Sequence, residues 1–230
     1  MLKKKFKDFK LDKFFMNVSL IIPIFLSLAF LISNNLFLGL LLVISIIFMI
    51  KKYNGKCFVL YLLLVGLIVR IAGIVIFNVS QTSDFAVLLE AARKFNLGDY
   101  SFSKTGYFSM WPYQTGFVLY EALMLKIINS EVFLKILNIF YELGLTYFIY
   151  KTIKKLVGED EARIVSSLYA VFPFSIYSAT VISNHHLSAL LGYLSIYFLL
   201  KNDKEDELKN YIIAGILLGL ANVLRPEGIV

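Results

Sequence analysis

The sequence predicts an all-α, polytopic transmembrane helical bundle of about seven spans, with two interfacial helices in its first large outer loop. Three observations carry that prediction. Hydrophobic residues make up 59% of the 230 residues and aromatic residues 16%, with a mean hydropathy of +0.75, a balance that a soluble domain of this length does not carry. Mostly apolar runs recur at 15–32, 36–50, 57–77, 133–153, 161–182, 184–200 and 211–230, and a helix of roughly 20 such residues crosses a hydrocarbon layer of about 30 Å. Basic residues collect at the ends of those runs, where cytoplasmic loops gather Lys and Arg.

Lys3, Lys4, Lys5, Lys7, Lys10 and Lys13 precede the first run. Lys51, Lys52 and Lys56 follow the second, which places both groups in the cytoplasm and accounts for the net charge of +7 without nucleic acid. Asn34-Asn35 breaks this first pair, and its second member is short. No small-residue cleavage pattern follows the first apolar run, so the amino-terminal stretch reads as an anchor rather than a cleavable signal. One cysteine, Cys57, excludes a disulfide framework and a Cys-based metal cluster. No repeat of fixed period is visible. Residues 1–56 therefore read as a cytoplasmic basic segment and transmembrane hairpin, and 57–230 as the membrane module with its outer loop at 78–132.

The third run leaves the cytoplasm at about Phe77 and delivers Asp84 to the outer side. If Pro112–Ile128 crossed back, Lys151, Lys154 and Lys155 would lie outside, against the positive-inside bias. That segment, carrying Gln114, Glu121 and Lys126, is therefore expected to lie along the membrane surface. The run 133–153 then returns inward, 161–182 goes out, and 184–200 comes in, leaving Lys201, Lys204 and Lys209 cytoplasmic. The expected location is the cell membrane, with multiple spans and a cytoplasmic amino terminus.

A second surface helix starts near Phe85. Its apolar residues Phe85, Leu88, Leu89, Ala92 and Phe95 share one face, while Glu90, Arg93 and Lys94 fall elsewhere. Ser83 is the expected N-cap, Asp84 lies in the first turn, where the helix dipole favours a carboxylate, and Gly98-Asp99 ends the helix. A carboxylate just outside a hydrophobic span suits an enzyme acting on a lipid-linked substrate; the plainer reading is a first-turn stabiliser. Two charges lie within runs, Arg70 about 10 Å from the outer end of its helix and Glu142 about 13 Å into the next. At similar depths they are expected to pair, because either alone in hydrocarbon costs several kcal/mol; the functional alternative is that Arg70 meets the lipid phosphate.

Four stretches in this order resemble the GT-C superfamily of membrane glycosyltransferases, in the branch of protein O-mannosyltransferases and aminoarabinose transferases. They are Ser83-Asp84-Phe85, Trp111-Pro112-Tyr113-Gln114 running on to Lys126, Ser183-Asn184-His185-His186, and Leu224-Arg225-Pro226-Glu227, and the resemblance spans about 57–230. It implies transfer of a hexose from a polyprenyl-phosphate-linked donor to an acceptor on the non-cytoplasmic face. By that resemblance Asp84 is the catalytic carboxylate, acting as base or orienting the acceptor hydroxyl. Arg93, Lys94, Lys104 and Arg225 are candidate cations for the departing phosphate, with Arg225 the strongest and a snorkelling arginine its plainer reading. Tyr113, Gln114, His185 and His186 are candidate substrate contacts. Phe85 stands where many members have a second acid, and His185-His186 where many place another. The paired imidazoles leave metal dependence open, a divalent ion being one use and a polar interface the other.

Relatives usually continue beyond the motif at which this sequence stops, so the expectation is a fragment of a longer enzyme, or a short member completed by a partner subunit. Membrane lipids and the polyprenyl-phosphate sugar are the expected partners. A transporter or flippase, using Arg70 and Glu142 in a translocation path, is one alternative. A non-catalytic membrane assembly subunit is the other. Donor sugar, acceptor and oligomeric state are left open by the sequence.

Overall fold

A computed structural model describes residues 44–45, 57–201 and 207–226. The runs at 15–32 and most of 36–50, the basic segments beside them and Lys204 lie outside the described residues. Among those described, all regular structure is helical: α1 (Phe58–Phe77), α2 (Ser83–Asn96), α3 (Gly106–Met110), α4 (Thr115–Ile127), α5 (Glu131–Leu156), α6 (Glu159–Ala170), α7 (Pro173–Ser178), α8 (His185–Leu200) and α9 (Glu207–Leu224). Short 3-10 turns occupy Ser101–Lys104 and Pro112–Gln114. Among the described residues, α1, α5 and α9 are long and apolar enough to cross a membrane. α8, with 16 residues, is apolar but shorter. α4 has 13 residues, about 20 Å of helix, and falls short of a hydrocarbon layer of about 30 Å.

The chain divides into two compact units, Met1–Asn78 with Glu142–Thr180, and Val79–Tyr141 with Val181–Val230. α5 supplies residues to both. In the first unit, α1 turns Phe58, Leu62, Val65 and Val69 inward at helical spacing against Tyr150, Ala162, Ala170, Val171 and Ile176. The expected span 161–182 is not one helix. α6 stops at Ala170 and α7 begins at Pro173, because proline has no N–H to continue the ladder and forces the preceding residue out of the helical region; Phe172 sits at φ −68°, ψ 118°.

Arg70, fully buried on α1, occupies that break. It donates to the carbonyl of Ala170 at 2.9 Å, to Ser175 Oγ at 2.8 Å and to the Gly66 carbonyl at 3.2 Å. Its Nη2 also lies 3.5 Å from Glu142 Oε2, the ion pair expected from depth alone. The Tyr169 hydroxyl donates to the same carboxylate oxygen at 2.8 Å. The charge is thus balanced, and an orphan carbonyl at a helix end is satisfied by the same side chain.

In the second unit, α2 lays Leu88, Leu89, Ala91 and Ala92 against Phe117, Val118, Ala122 and Leu125 of α4. The expected apolar face is the buried one at Leu88, Leu89 and Ala92, while Phe85 and Phe95 are half-buried. Of the three polar residues of the α4 segment, Lys126 is exposed, Gln114 is half-buried and Glu121 is fully buried. α8 and α9 pack together, joined by hydrogen bonds from Ser188 Oγ to the Ala221 carbonyl and from Ser195 Oγ to the Ala214 carbonyl.

Candidate functional site

A cavity of about 370 Å³ opens in the second unit. α2 contributes Asp84, Phe85 and Leu88, the 3-10 turn before α4 contributes Tyr113 and Gln114, the start of α8 contributes Asn184 and His185, and the segment after α9 contributes Arg225 and Pro226. Four pieces of chain far apart in sequence therefore bring one carboxylate, one guanidinium, one imidazole, two amides and a phenol around a shared space.

Each piece is held there for a local reason. Asp84 heads α2, but Ser83 is not the expected side-chain N-cap: Thr82 holds the cap position without a side-chain hydrogen bond, and Ser83 adopts φ 53°. A non-glycine residue in that left-handed region costs about 1–2 kcal/mol. Neighbouring hydrogen bonds hold the entrance to α2 in place. The Lys135 ammonium of α5 donates to the Val79 carbonyl. Gln81 Oε1 accepts the Ile182 N–H at 2.9 Å. One turn along α5, Asn138 Nδ2 donates to the Val181 carbonyl at 2.9 Å. Lys135 and Asn138 thus tie down the approach to Asp84 and the approach to His185 from one face of one helix.

Opposite ends of the amide network meet at Asn184, which is 3% exposed. Its Nδ2 donates to Gln114 Oε1 at 3.0 Å and to the Leu224 carbonyl at 3.1 Å. Its Oδ1 accepts from Arg225 Nη1 at 3.3 Å. The same guanidinium nitrogen touches Nε2 of His185. α4 and α9 approach closely at Gly116, where an added Cβ would fall 2.1 Å from the Val223 carbonyl oxygen. Only a residue without a side chain permits that contact.

Among the sequence-predicted residues, Asp84, Tyr113, Gln114, His185 and Arg225 share the cavity lining. The others lie elsewhere. Arg93 is paired with Glu131 at 2.6 Å and Lys94 with Glu90 at 2.8 Å, while Lys104 is exposed on its 3-10 turn. His186 is buried, as the 100° step between adjacent helical residues requires when His185 faces the cavity. The two histidines therefore do not act as one donor pair toward the cavity. Among the described residues, no set of three or more His, Cys, Asp and Glu side chains is placed to hold a metal ion.

Tyr107 was not expected. Burial raises its phenol above the ordinary range, and the nearby Asp84 and Tyr113 add to that rise. Glu121, on α4, has neither carboxylate oxygen hydrogen-bonded. Burial pushes its pKa up to about 9, against a partial opposing pull from Arg93. It is held as a neutral acid at neutral pH. Asn184 lies within the Ser183-Asn184-His185-His186 stretch without a role read for it, and roles for Gln81 and Gly116 were missed. The i, i+3 pair Lys135 and Asn138 within an apolar helix is a local sequence signal, whereas amides and glycine carry no periodic signature.

Residues 117–230 match the family model of dolichyl-phosphate-mannose-protein mannosyltransferase, just under half of the chain. The match spans α4 to α9 and includes Asn184, His185 and Arg225, and it supports the GT-C glycosyltransferase superfamily. No curated protein and no solved structure matches this chain.

Proposed function

We propose, with that family match as premise, that this membrane glycosyltransferase chain transfers a hexose from a polyprenyl-phosphate donor to an acceptor hydroxyl on the non-cytoplasmic face. The observation that carries the reading is the shared cavity lined by Asp84 on one side and by Arg225 with its Asn184, His185 and Gln114 neighbours on another. Displacement at an anomeric carbon needs a proton acceptor beside the incoming hydroxyl and positive charge beside the phosphate that leaves. Asp84 takes the hydroxyl proton as the acceptor oxygen bonds to the anomeric carbon. The bond from that carbon to the phosphate oxygen breaks, and the phosphate departs with the electron pair toward Arg225. A guanidinium fork suits that role better than a point charge. Tyr113 supplies an aromatic face at the cavity wall, and its ring stands edge-on to Trp111, with centroids 6.1 Å apart.

The topology read from the basic residues fits this assignment. About seven spans with a cytoplasmic amino terminus put 78–132 on the outer side, with α2 and α4 lying along the membrane surface. Arg93, Lys104 and His186 lie outside the cavity lining and take no part in the proposed step. The transporter reading draws on Arg70 and Glu142, yet those charges engage each other and the α6–α7 break.

The test is sugar transfer from radiolabelled polyprenyl-phosphate hexoses in membranes carrying the chain, beside an Asp84→Asn version at equal abundance. We expect transfer from the unsubstituted chain and a loss of at least about a hundredfold in the substituted one. Undiminished transfer by the substituted chain removes Asp84 from the reaction.

A further inference from the structure

We infer that Asn184 is a positioning residue that fixes the Arg225 guanidinium for the phosphate of the donor lipid, and this rests on the donor reading above.

α9 ends at Leu224, and Pro226 prevents its continuation by excluding the helical region for the residue before it. The Arg225 N–H closes the last helical bond, to the Ala221 carbonyl at 2.8 Å, so α9 places its backbone but not its guanidinium. Groups outside α9 have to hold that guanidinium, and the Leu224 carbonyl at the helix end also needs a partner from elsewhere. Asn184 does both. Its Nδ2 donates to the Leu224 carbonyl, while Oδ1 accepts from Arg225 Nη1.

The orientation of that amide follows from its surroundings. Nδ2 faces two oxygens, the Leu224 carbonyl and Gln114 Oε1, and Oδ1 faces a cation. A flipped amide would set N–H against N–H and oxygen against two oxygens. Asn184 is buried and both of its N–H donors are used, so the group cannot turn to solvent. It draws Gln114 into the same frame. The carboxamide thus sets where Arg225 lies relative to the cavity without itself meeting the transferred atoms. The loop that carries it is pinned by Gln81 and Asn138, which bond to the backbone two and three residues upstream.

The experiment reads binding, separately from turnover. Trp111 is the chain's single tryptophan and stands against the cavity residue Tyr113, so its emission reports occupancy. A short-chain polyprenyl phosphate in detergent micelles is titrated into the unsubstituted chain, Asn184→Ala, Arg225→Ala and the double variant, with inorganic phosphate and the corresponding polyprenol run alongside. Loss of a hydrogen bond to a charged group predicts a dissociation constant raised about tenfold by Asn184→Ala. The double variant should bind within about threefold of Arg225→Ala alone, because Asn184 acts through that guanidinium. Asn184→Asp keeps an acceptor for Arg225 but partly neutralises it and loses both donated bonds; it should also weaken binding, and it serves if the alanine variant does not fold.

Full, additive loss from Asn184→Ala in the Arg225→Ala background overturns the inference and leaves Asn184 a helix cap. Unchanged binding by both Asn184 variants overturns it too, while the donor reading stands. No binding by the unsubstituted chain overturns the donor reading and this inference together.

Discussion

Replacing Gly116 with alanine tests the close approach on which the cavity wall depends. The new Cβ would lie 2.1 Å from the Val223 carbonyl oxygen and 3.0 Å from both the carbonyl carbon and Cγ1 of Val223. An ordinary carbon–oxygen contact is about 3.3 Å, so the two backbones must part by about 1 Å. The obstacle is main chain, which has no rotamer to change. Alanine returns up to about 1 kcal/mol of helix propensity, and forced overpacking costs about 1–3 kcal/mol, so a modest net destabilisation is expected.

The larger consequence is positional. Val223 lies two residues before Arg225, and the intervening Leu224 carbonyl is held by Asn184. A displacement of about 1 Å at such a site costs up to a hundredfold in rate. Thermal melting of the purified chain and sugar transfer would be measured together, with Gly219→Ala as control because a Cβ there meets nothing within 4 Å. We expect Gly116→Ala to lower the melting temperature slightly and to reduce transfer at least about tenfold, with Gly219→Ala neutral or slightly stabilising. Full transfer and an unchanged melting temperature in Gly116→Ala would refute the α4–α9 contact.

Other outcomes follow from buried ionisable groups: the Arg70–Glu142 pair and Glu121. Arg70→Met should lower folded yield in detergent by removing the cation beside the buried Glu142 carboxylate, a cost of about 3–5 kcal/mol. The reciprocal exchange Arg70→Glu with Glu142→Arg should restore only part of it, since a carboxylate cannot donate to the Ala170 carbonyl; size-exclusion profiles of the tagged variants check both. Glu121 has its pKa raised to about 9 from an ordinary 4.5, so the folded chain keeps a proton that the unfolded chain releases above about pH 4.5. Its stabilising effect is full below that pH and is lost as pH rises toward about 9, by roughly 3–4 kcal/mol between pH 5 and 8; Glu121→Gln should flatten that slope in melts across the range, and an unchanged slope would assign it to other groups.

The sequence by itself determined what depends on neighbours along the chain. Hydrophobic run length marked α1, α5 and α9, and the i, i+3, i+4 spacing marked the buried face of α2. The Arg70–Glu142 pair was readable because depth in a span is a count of residues, and an isolated charge in hydrocarbon is costly enough to demand a partner. The break at Pro173 was not apparent, since apolar residues continue on both sides of it and hydropathy reads 161–182 as one run. Only the tertiary structure decided that Asp84 and Arg225 line one cavity, that Arg93 and Lys94 are engaged elsewhere, that Asn184 joins Gln114 to Arg225, and that Glu121 is sealed from solvent. Hydropathy and helical period are local properties, repeated often enough to be read from one strand of text. A hydrogen bond between residues 70 positions apart, or a glycine against the carbonyl of a distant helix, exists only when packing has brought both backbones to the same place.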